Sequence, residues 1–283
     1  NYIDTYHREG MYPLPLPFTP GQEAAGEVVA VGETVSEFST GDRVCWAMVG
    51  GSYADYAVVP AELLQAIPAS VDFETAAAAM LQGLTAHYLV TSVYPVEQGT
   101  TAVVHAAAGG VGLLLTQMIV ARGGTVIGTT SSDEKVARAQ AAGAHHVIRY
   151  DQEPWADAVA EITAGAGVDV VYDGVGQDTF EDGLASLRPR GVMALYGAAS
   201  GPVPPFDLQR LGALGSLVVT RPSLGHFMAT ADERRWRTAE LFGAIQSGAL
   251  DISIAARFDL AHAPEAHRAI QSRAYSGKIL LIP

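Results

Sequence analysis

Val103-Val104-His105-Ala106-Ala107-Ala108-Gly109-Gly110-Val111-Gly112 reads as a strand, a turn of small residues and a helix start in unbroken succession. Against the pattern G-x-G-x-x-G, Ala107 stands for the first glycine. Gly109 lets the backbone approach a pyrophosphate, and Gly112 lets the helix pack close to the strand. Unpaired amides at the helix N-terminus then meet negative charge. Such a turn alone also fits a tight strand-helix connection that binds nothing, so its surroundings have to decide.

From Thr101 onward, short apolar strands alternate with helical stretches. Strands are predicted at 101–105, 125–129, 146–148, 168–172, 191–196 and 216–220, with helices at 111–122, 133–142, 155–163 and 179–187. Six strands in this alternation predict an α/β fold with a doubly wound parallel sheet of the Rossmann type, which binds a dinucleotide. Ala108, Gly109, Gly110, Val111 and Gly112 are then the phosphate-facing candidates. Tyr196 and Gly197, after the fifth strand, lie at the carboxyl edge where a coenzyme crosses such a sheet.

Coenzyme choice falls at the end of the second strand, where NAD-binding units place a carboxylate about 20 positions on to hold the ribose 2′-hydroxyl. The sequence there is Gly128-Thr129-Thr130-Ser131-Ser132. Small hydroxyl residues, with Thr130 and Ser131 as candidates, leave room for a 2′-phosphate, and Lys135 is within reach to neutralise it. NADPH is favoured over NADH. Lys135 also fits a solvated surface lysine, and Asp133 and Glu134 argue mildly the other way, although they suit a first helical turn.

Upstream, residues 1–82 are rich in valine, glycine and proline, with β-like runs at 26–31, 43–47 and 53–59. Pro20-Gly21, Gly32-Glu33, Gly41-Asp42 and Gly50-Gly51 separate the apolar segments, which predicts a compact barrel-like β domain. Ala76 to Ala79 reads as helix, as does 232–247, and the tail is expected to rejoin the first domain. The expected division is 1–85, 86–222 and 223–283.

Composition narrows the function. A chain of 283 residues with 49% hydrophobic content buries a large core. A net charge of −13 without a basic block disfavours nucleic acid. No apolar run is long enough for a membrane span. The single cysteine, Cys45, sits between Val44 and Trp46 as a structural thiol and fits a reducing cytoplasm. The missing initiator methionine suggests that N-terminal residues precede Asn1, and no leader is seen. His145 and His146 diverge as neighbours, while His262 and His267 lie about 140° apart on a helix, so neither pair makes a zinc site. No nucleophile elbow and no phosphate loop occur. What remains is hydride transfer to an acceptor whose developing charge is delocalised, a quinone or an α,β-unsaturated ketone.

Six segments together resemble the zinc-free NADPH:quinone oxidoreductases of the zeta-crystallin type, within the medium-chain dehydrogenase/reductase superfamily, over the whole chain. They run from Asn1 to Pro13, Gly21 to Gly26, Gly41 to Val44, through the alanine-glycine turn, Val170 to Gly176, and Val219 to Leu224. The resemblance implies a GroES-like barrel-type domain completed by the C-terminal segment, and barrel strands before Asn1. It implies that Asn1 and Tyr6 flank nicotinamide and substrate and that Gln22 stands where zinc-dependent relatives carry a ligand histidine, so that Asn1, Tyr6 and Gln22 form a metal-free catalytic set. It also implies that Lys135, Tyr150 and Arg273 surround the 2′-phosphate. Gln82 replaces a lysine common in relatives and keeps only hydrogen bonding. Homodimerisation through the edge strand near Ser216 to Thr220 is implied as well. An enoyl or alkenal reductase on the same scaffold stays open, as does a non-catalytic nucleotide-binding, structural or RNA-binding protein of the crystallin type.

Overall fold

In the computed structural model, which describes residues 1–283, the first element is helix α1 (Tyr2–Glu9). It ends on Gly10, whose φ of 76° closes the helix in the left-handed region glycine tolerates. A three-stranded antiparallel sheet follows, β1 (Glu23–Glu27), β2 (Arg43–Ala47) and β3 (Gln65–Ala66), in that order. Helix α2 (Phe73–Tyr88) comes next, with Ala76, Ala78 and Ala79 fully buried, small residues that admit close neighbours.

Two expectations are corrected in this stretch. The strand expected at 26–31 lies at Glu23–Glu27, where Glu23 pairs with Ala47 and Gly26 with Val44, and Val29 and Val31 are exposed. The run at 53–59 forms no strand. The Tyr53 amide donates to the Pro20 carbonyl at 3.0 Å, and Tyr56 and Val58 are exposed. Apolar alternation gives a segment β character, but a strand also needs a paired neighbour.

The middle of the chain alternates strictly: β4 (Thr101–Val104), α3 (Gly110–Ala121), β5 (Thr125–Thr130), α4 (Asp133–Ala141), β6 (His146–Arg149), α5 (Trp155–Ile162), β7 (Val168–Asp173), α6 (Phe180–Ala185), β8 (Leu187–Leu195), α7 (Gln209–Ala213) and β9 (Val218–Thr220). All five strand pairings are parallel, in the order β6-β5-β4-β7-β8-β9, the doubly wound Rossmann arrangement. Ala102, Val103 and Val104 are consecutive and fully buried, as expected of a parallel sheet covered on both faces. Val103, Ile127, Val171 and Met193 carry one face of the core, with Trp155, Phe180 and Leu184 packed against it. The last strand starts later than expected, at Val218, because Ser216 takes a φ of 59° that no strand accommodates.

The chain ends with α8 (Ala231–Gln246), β10 (Ile254–Asp259), α9 (Ala263–Gln271) and β11 (Lys278–Ile282), and β10 pairs with β11 in parallel. Two compact units result, Asn1–Thr85 with Leu224–Pro283, and Ala86–Ser223. No helix is long and apolar enough to cross a membrane.

Candidate active site

In the unit Ala86–Ser223, β4 and β7 are neighbours at the point where strand order reverses, the switch point where doubly wound sheets bind ligands. The turn after β4 is built from backbone. Ala106 takes a φ of 50°, and its carbonyl accepts the Gly109 amide at 2.8 Å. Gly109 caps α3, so the amides of Gly110, Val111 and Gly112 precede any intrahelical acceptor. A Cβ on Gly112 would stand 2.3 Å from the Ala106 carbonyl oxygen, so only glycine fits. Ala107 occupies the first motif position because the space it needs comes from β5: a Cβ on Gly128 would lie 2.7 Å from that of Ala107.

His105, at the head of this turn, is fully buried and bonds the Thr129 hydroxyl through Nδ1 at 2.9 Å. It stacks edge-on against Trp155 at 4.5 Å. Burial holds its pKa below the usual histidine value, which keeps it neutral in the core.

At the carboxyl end of β5, the Thr130 hydroxyl is buried without a hydrogen-bond partner. Ser132 caps α4 by accepting the Lys135 amide, and the Lys135 ammonium donates to the Ser131 hydroxyl, both at 3.3 Å. The Tyr150 amide donates to the Thr130 carbonyl at 3.2 Å, which brings Tyr150 to the same edge. The acids beside this cluster are occupied. Asp133 and Asp151 flank the Arg149 guanidinium, and Glu134 pairs with Arg138 at 3.3 Å. Lys135 and Ser131 thus meet by side chain at the end of β5, with Tyr150 joined to Thr130 there by backbone, and a cation beside a hydroxyl suits a phosphorylated ribose.

After β7, the buried Asp173 organises a loop to which sequence reading assigns no role. Its carboxylate accepts the Val175 amide at 2.6 Å, the Gly176 amide at 3.1 Å and the Thr179 hydroxyl at 2.8 Å. Its carbonyl accepts the amides of Tyr196 and Gly197 at 2.8 and 3.2 Å. Gly197 must be glycine, since a Cβ there would stand 2.4 Å from the Gly174 carbonyl oxygen. Tyr196 and Gly197 therefore share one edge with the Gly174 loop.

In the other unit, Asn1 sits in a side-chain network contributed by four elements. Its Nδ2 donates to Glu23 Oε1, and its Oδ1 accepts from Lys278 Nζ at 2.7 Å and from Gln82 Nε2 at 3.3 Å. Lys278 and Glu23 form an ion pair whose side chains are each 5% exposed. The second Glu23 oxygen accepts the Leu81 amide at 2.5 Å. Gln82 therefore joins Asn1, and Glu23 and Lys278 are the members that sequence reading leaves without a role.

Tyr6 is buried on α1 between the rings of Tyr2 and Tyr12, at centroid distances of 5.4 and 5.2 Å. Gln22 is half-buried, its carbonyl accepting the Met48 amide at 2.7 Å. Arg273 follows α9 at a φ of 57°, exposed. A second polar chain braces α1 against α9. Arg8 donates to His267 Nδ1 at 2.9 Å, which leaves the proton on Nε2, facing the Tyr53 hydroxyl at 3.0 Å. Burial, then the Arg8 charge, lowers the His267 pKa.

Residues 1–69 match the family described as the alcohol dehydrogenase GroES-like domain, and residues 110–242 that described as zinc-binding dehydrogenase. A quinone oxidoreductase of Pseudomonas aeruginosa is 46% identical, covering all of this chain and 88% of that protein. The chain belongs to the quinone oxidoreductase family. A 2-haloacrylate reductase of a Burkholderia species is 42% identical, over the whole chain and 87% of its own length. Among solved structures, the Escherichia coli quinone oxidoreductase complexed with NADPH superposes with a TM-score of 0.98 at 42% identity, covering this chain fully and 88% of that one. A mycobacterial protein complexed with NADPH reaches 0.97 at 50% identity with the same coverage. The family membership makes this chain an oxidoreductase with a GroES-like and a Rossmann unit.

Proposed function

We propose that this oxidoreductase reduces quinones, or related conjugated carbonyls, with NADPH by direct hydride transfer and without zinc. The observation that carries the coenzyme choice is the edge of β5, where Lys135 meets Ser131 and the nearby acids are engaged by arginines. NADPH, when bound, supplies the hydride. The α3 amides from Gly110 to Gly112 receive the pyrophosphate, while Thr130, Ser131, Lys135 and Tyr150, with Arg273, hold the 2′-phosphate. Tyr196 and Gly197 bear the nicotinamide edge. Asn1, Tyr6 and Gln22 orient the acceptor, and Gln82 supports Asn1. A quinone becomes a hydroquinone by taking the hydride and one solvent proton, so the site needs orientation and hydrogen-bond donors more than a Lewis acid. Where zinc-dependent relatives carry a ligand histidine this chain has Gln22, whose amide is no substitute for an imidazole ligand.

The test is stopped-flow oxidation of NADPH and of NADH against a panel of quinones. Turnover with NADPH and much weaker turnover with NADH is expected. Absence of turnover with every quinone and enone, despite bound coenzyme, defeats the reading. The Burkholderia relative favours a second substrate class, activated alkenes, so 2-haloacrylate and enoyl thioesters belong in the same panel.

A homodimer through the free edge of β9 follows the same reading. This strand pairs on one side only, and Val218 is 51% exposed. A dimeric mass at micromolar concentration that Val218→Lys converts to monomer is the expected result. We also propose a reducing cytoplasm, which a single buried cysteine, Cys45, suits.

A further inference from the structure

The sequence holds two lysines among 17 basic residues, and one asparagine. The structure puts one of those lysines, Lys278, against that asparagine. Lys278 opens β11, where Ile279-Leu280-Leu281-Ile282 follow, and is 4% exposed. Its only acidic partner is Glu23, held from the far side by the Leu81 amide.

This arrangement fixes the Asn1 carboxamide in one orientation. An ammonium only donates and a carboxylate only accepts, so the atom facing Lys278 is Oδ1 and the atom facing Glu23 is Nδ2. Exchanging the two would set a donor against a donor and an acceptor against an acceptor. The inventory is then nearly full. Lys278 and Gln82 occupy both lone pairs of Oδ1, and Glu23 takes one of the two Nδ2 protons. One N–H is left.

We infer that Glu23 and Lys278 are positioning residues that clamp Asn1 so that it offers a bound molecule a single hydrogen-bond donor and no acceptor. The inference deepens the proposed function and rests on Asn1 meeting the acceptor substrate. A lone N–H suits a carbonyl oxygen that gains negative charge as hydride arrives, and it gives no help to a hydroxyl donor. The site accordingly selects carbonyl acceptors over alcohols, and the clamp works through Asn1 without touching substrate.

Two measurements test this. In the coenzyme-free protein with isotope-labelled asparagine, the Asn1 carboxamide should give two well-separated, slowly exchanging proton resonances. Lys278→Met should move both resonances to the positions of a free side-chain amide and speed their exchange with solvent, and Glu23→Gln/Lys278→Met, which removes both charges, covers the case in which the single variant does not fold. An unchanged pair in the folded variant overturns the clamp.

The second measurement is a double-mutant cycle on kcat for quinone reduction. Lys278→Met should lower kcat about tenfold or more in the parent, with NADPH affinity held within about twofold, and less than about twofold in an Asn1→Ala background. Equal losses in both backgrounds assign Lys278 a merely structural role and overturn the proposal. A parent that turns over no quinone or enone defeats the proposed function instead, and the resonance measurement still decides the clamp.

Discussion

The two units build their candidate functional residues in opposite ways. In Ala86–Ser223 the candidate residues act through backbone at strand ends: a left-handed Ala106, glycines at 112 and 197 that leave no room for a Cβ, and amides ahead of a helix. In the other unit they act through side chains, with Asn1, Glu23, Gln82 and Lys278 drawn from as far as 277 positions apart. Backbone sites depend on local sequence and tolerate few residue types. Networks depend on tertiary placement and tolerate conservative exchange only when donor and acceptor valences still match. The difference predicts how each unit fails.

The largest effect should come from Gly112→Val, which drives a side chain into the Ala106 carbonyl. Loss of measurable NADPH binding and about 3 kcal/mol of stability in urea unfolding are expected. A variant that still binds coenzyme normally would show that the turn has slack which the 2.3 Å approach denies.

Lys135→Met should weaken NADPH by about 2 kcal/mol, roughly 30-fold, and leave NADH binding unchanged. Fluorescence titration with both coenzymes checks it, and equal losses for both would remove Lys135 from the 2′-phosphate.

Acid should separate the units through their buried histidines. His105 and His267 both have folded pKa values below the unfolded value of about 6.5, so the unfolded chain binds more protons as pH falls. Stability is therefore full above that value and lost as pH falls through the folded values. Replacing either histidine by glutamine should flatten the dependence of the melting midpoint between about pH 7 and pH 5. His105, 1% exposed, should account for more of the slope than His267, which is 6% exposed and hydrogen-bonded at both ring nitrogens. The smallest effect belongs to Glu134→Gln, an exposed helical pair with Arg138, worth less than about 0.5 kcal/mol.

Much of the nucleotide unit was legible because period and punctuation are local. All six strands and the four helices between the first five fall where alternation places them, within a few residues at their ends. The errors have tertiary causes. The run at 53–59 has strand composition and no strand beside it. The first strand sits three residues early because its register with β2 fixes Glu23 opposite Ala47. Helix α1, by contrast, has no extended apolar stripe to announce it.

Site legibility divides along the same line. Lys135 meets Ser131 at the end of β5, the Tyr150 amide bonds Thr130 there, and Gln82 reaches Asn1. Glu23 and Asp173 lay within recognisable motifs, but motif membership does not say which backbone amides a carboxylate will collect. Lys278 left one signal in the sequence: a lysine leading an apolar strand in a chain whose basic residues, Lys135 apart, are otherwise arginines.

That choice of arginine has a practical side. With Lys278 sealed against Glu23, Lys135 is the one lysine side chain an amine-directed reagent can reach, and it stands at the edge of β5. A single acylating dye or mild reductive methylation would thus label the lysine side chains at one address. The fraction of label blocked by added coenzyme would then measure occupancy of the nucleotide unit directly, without any turnover.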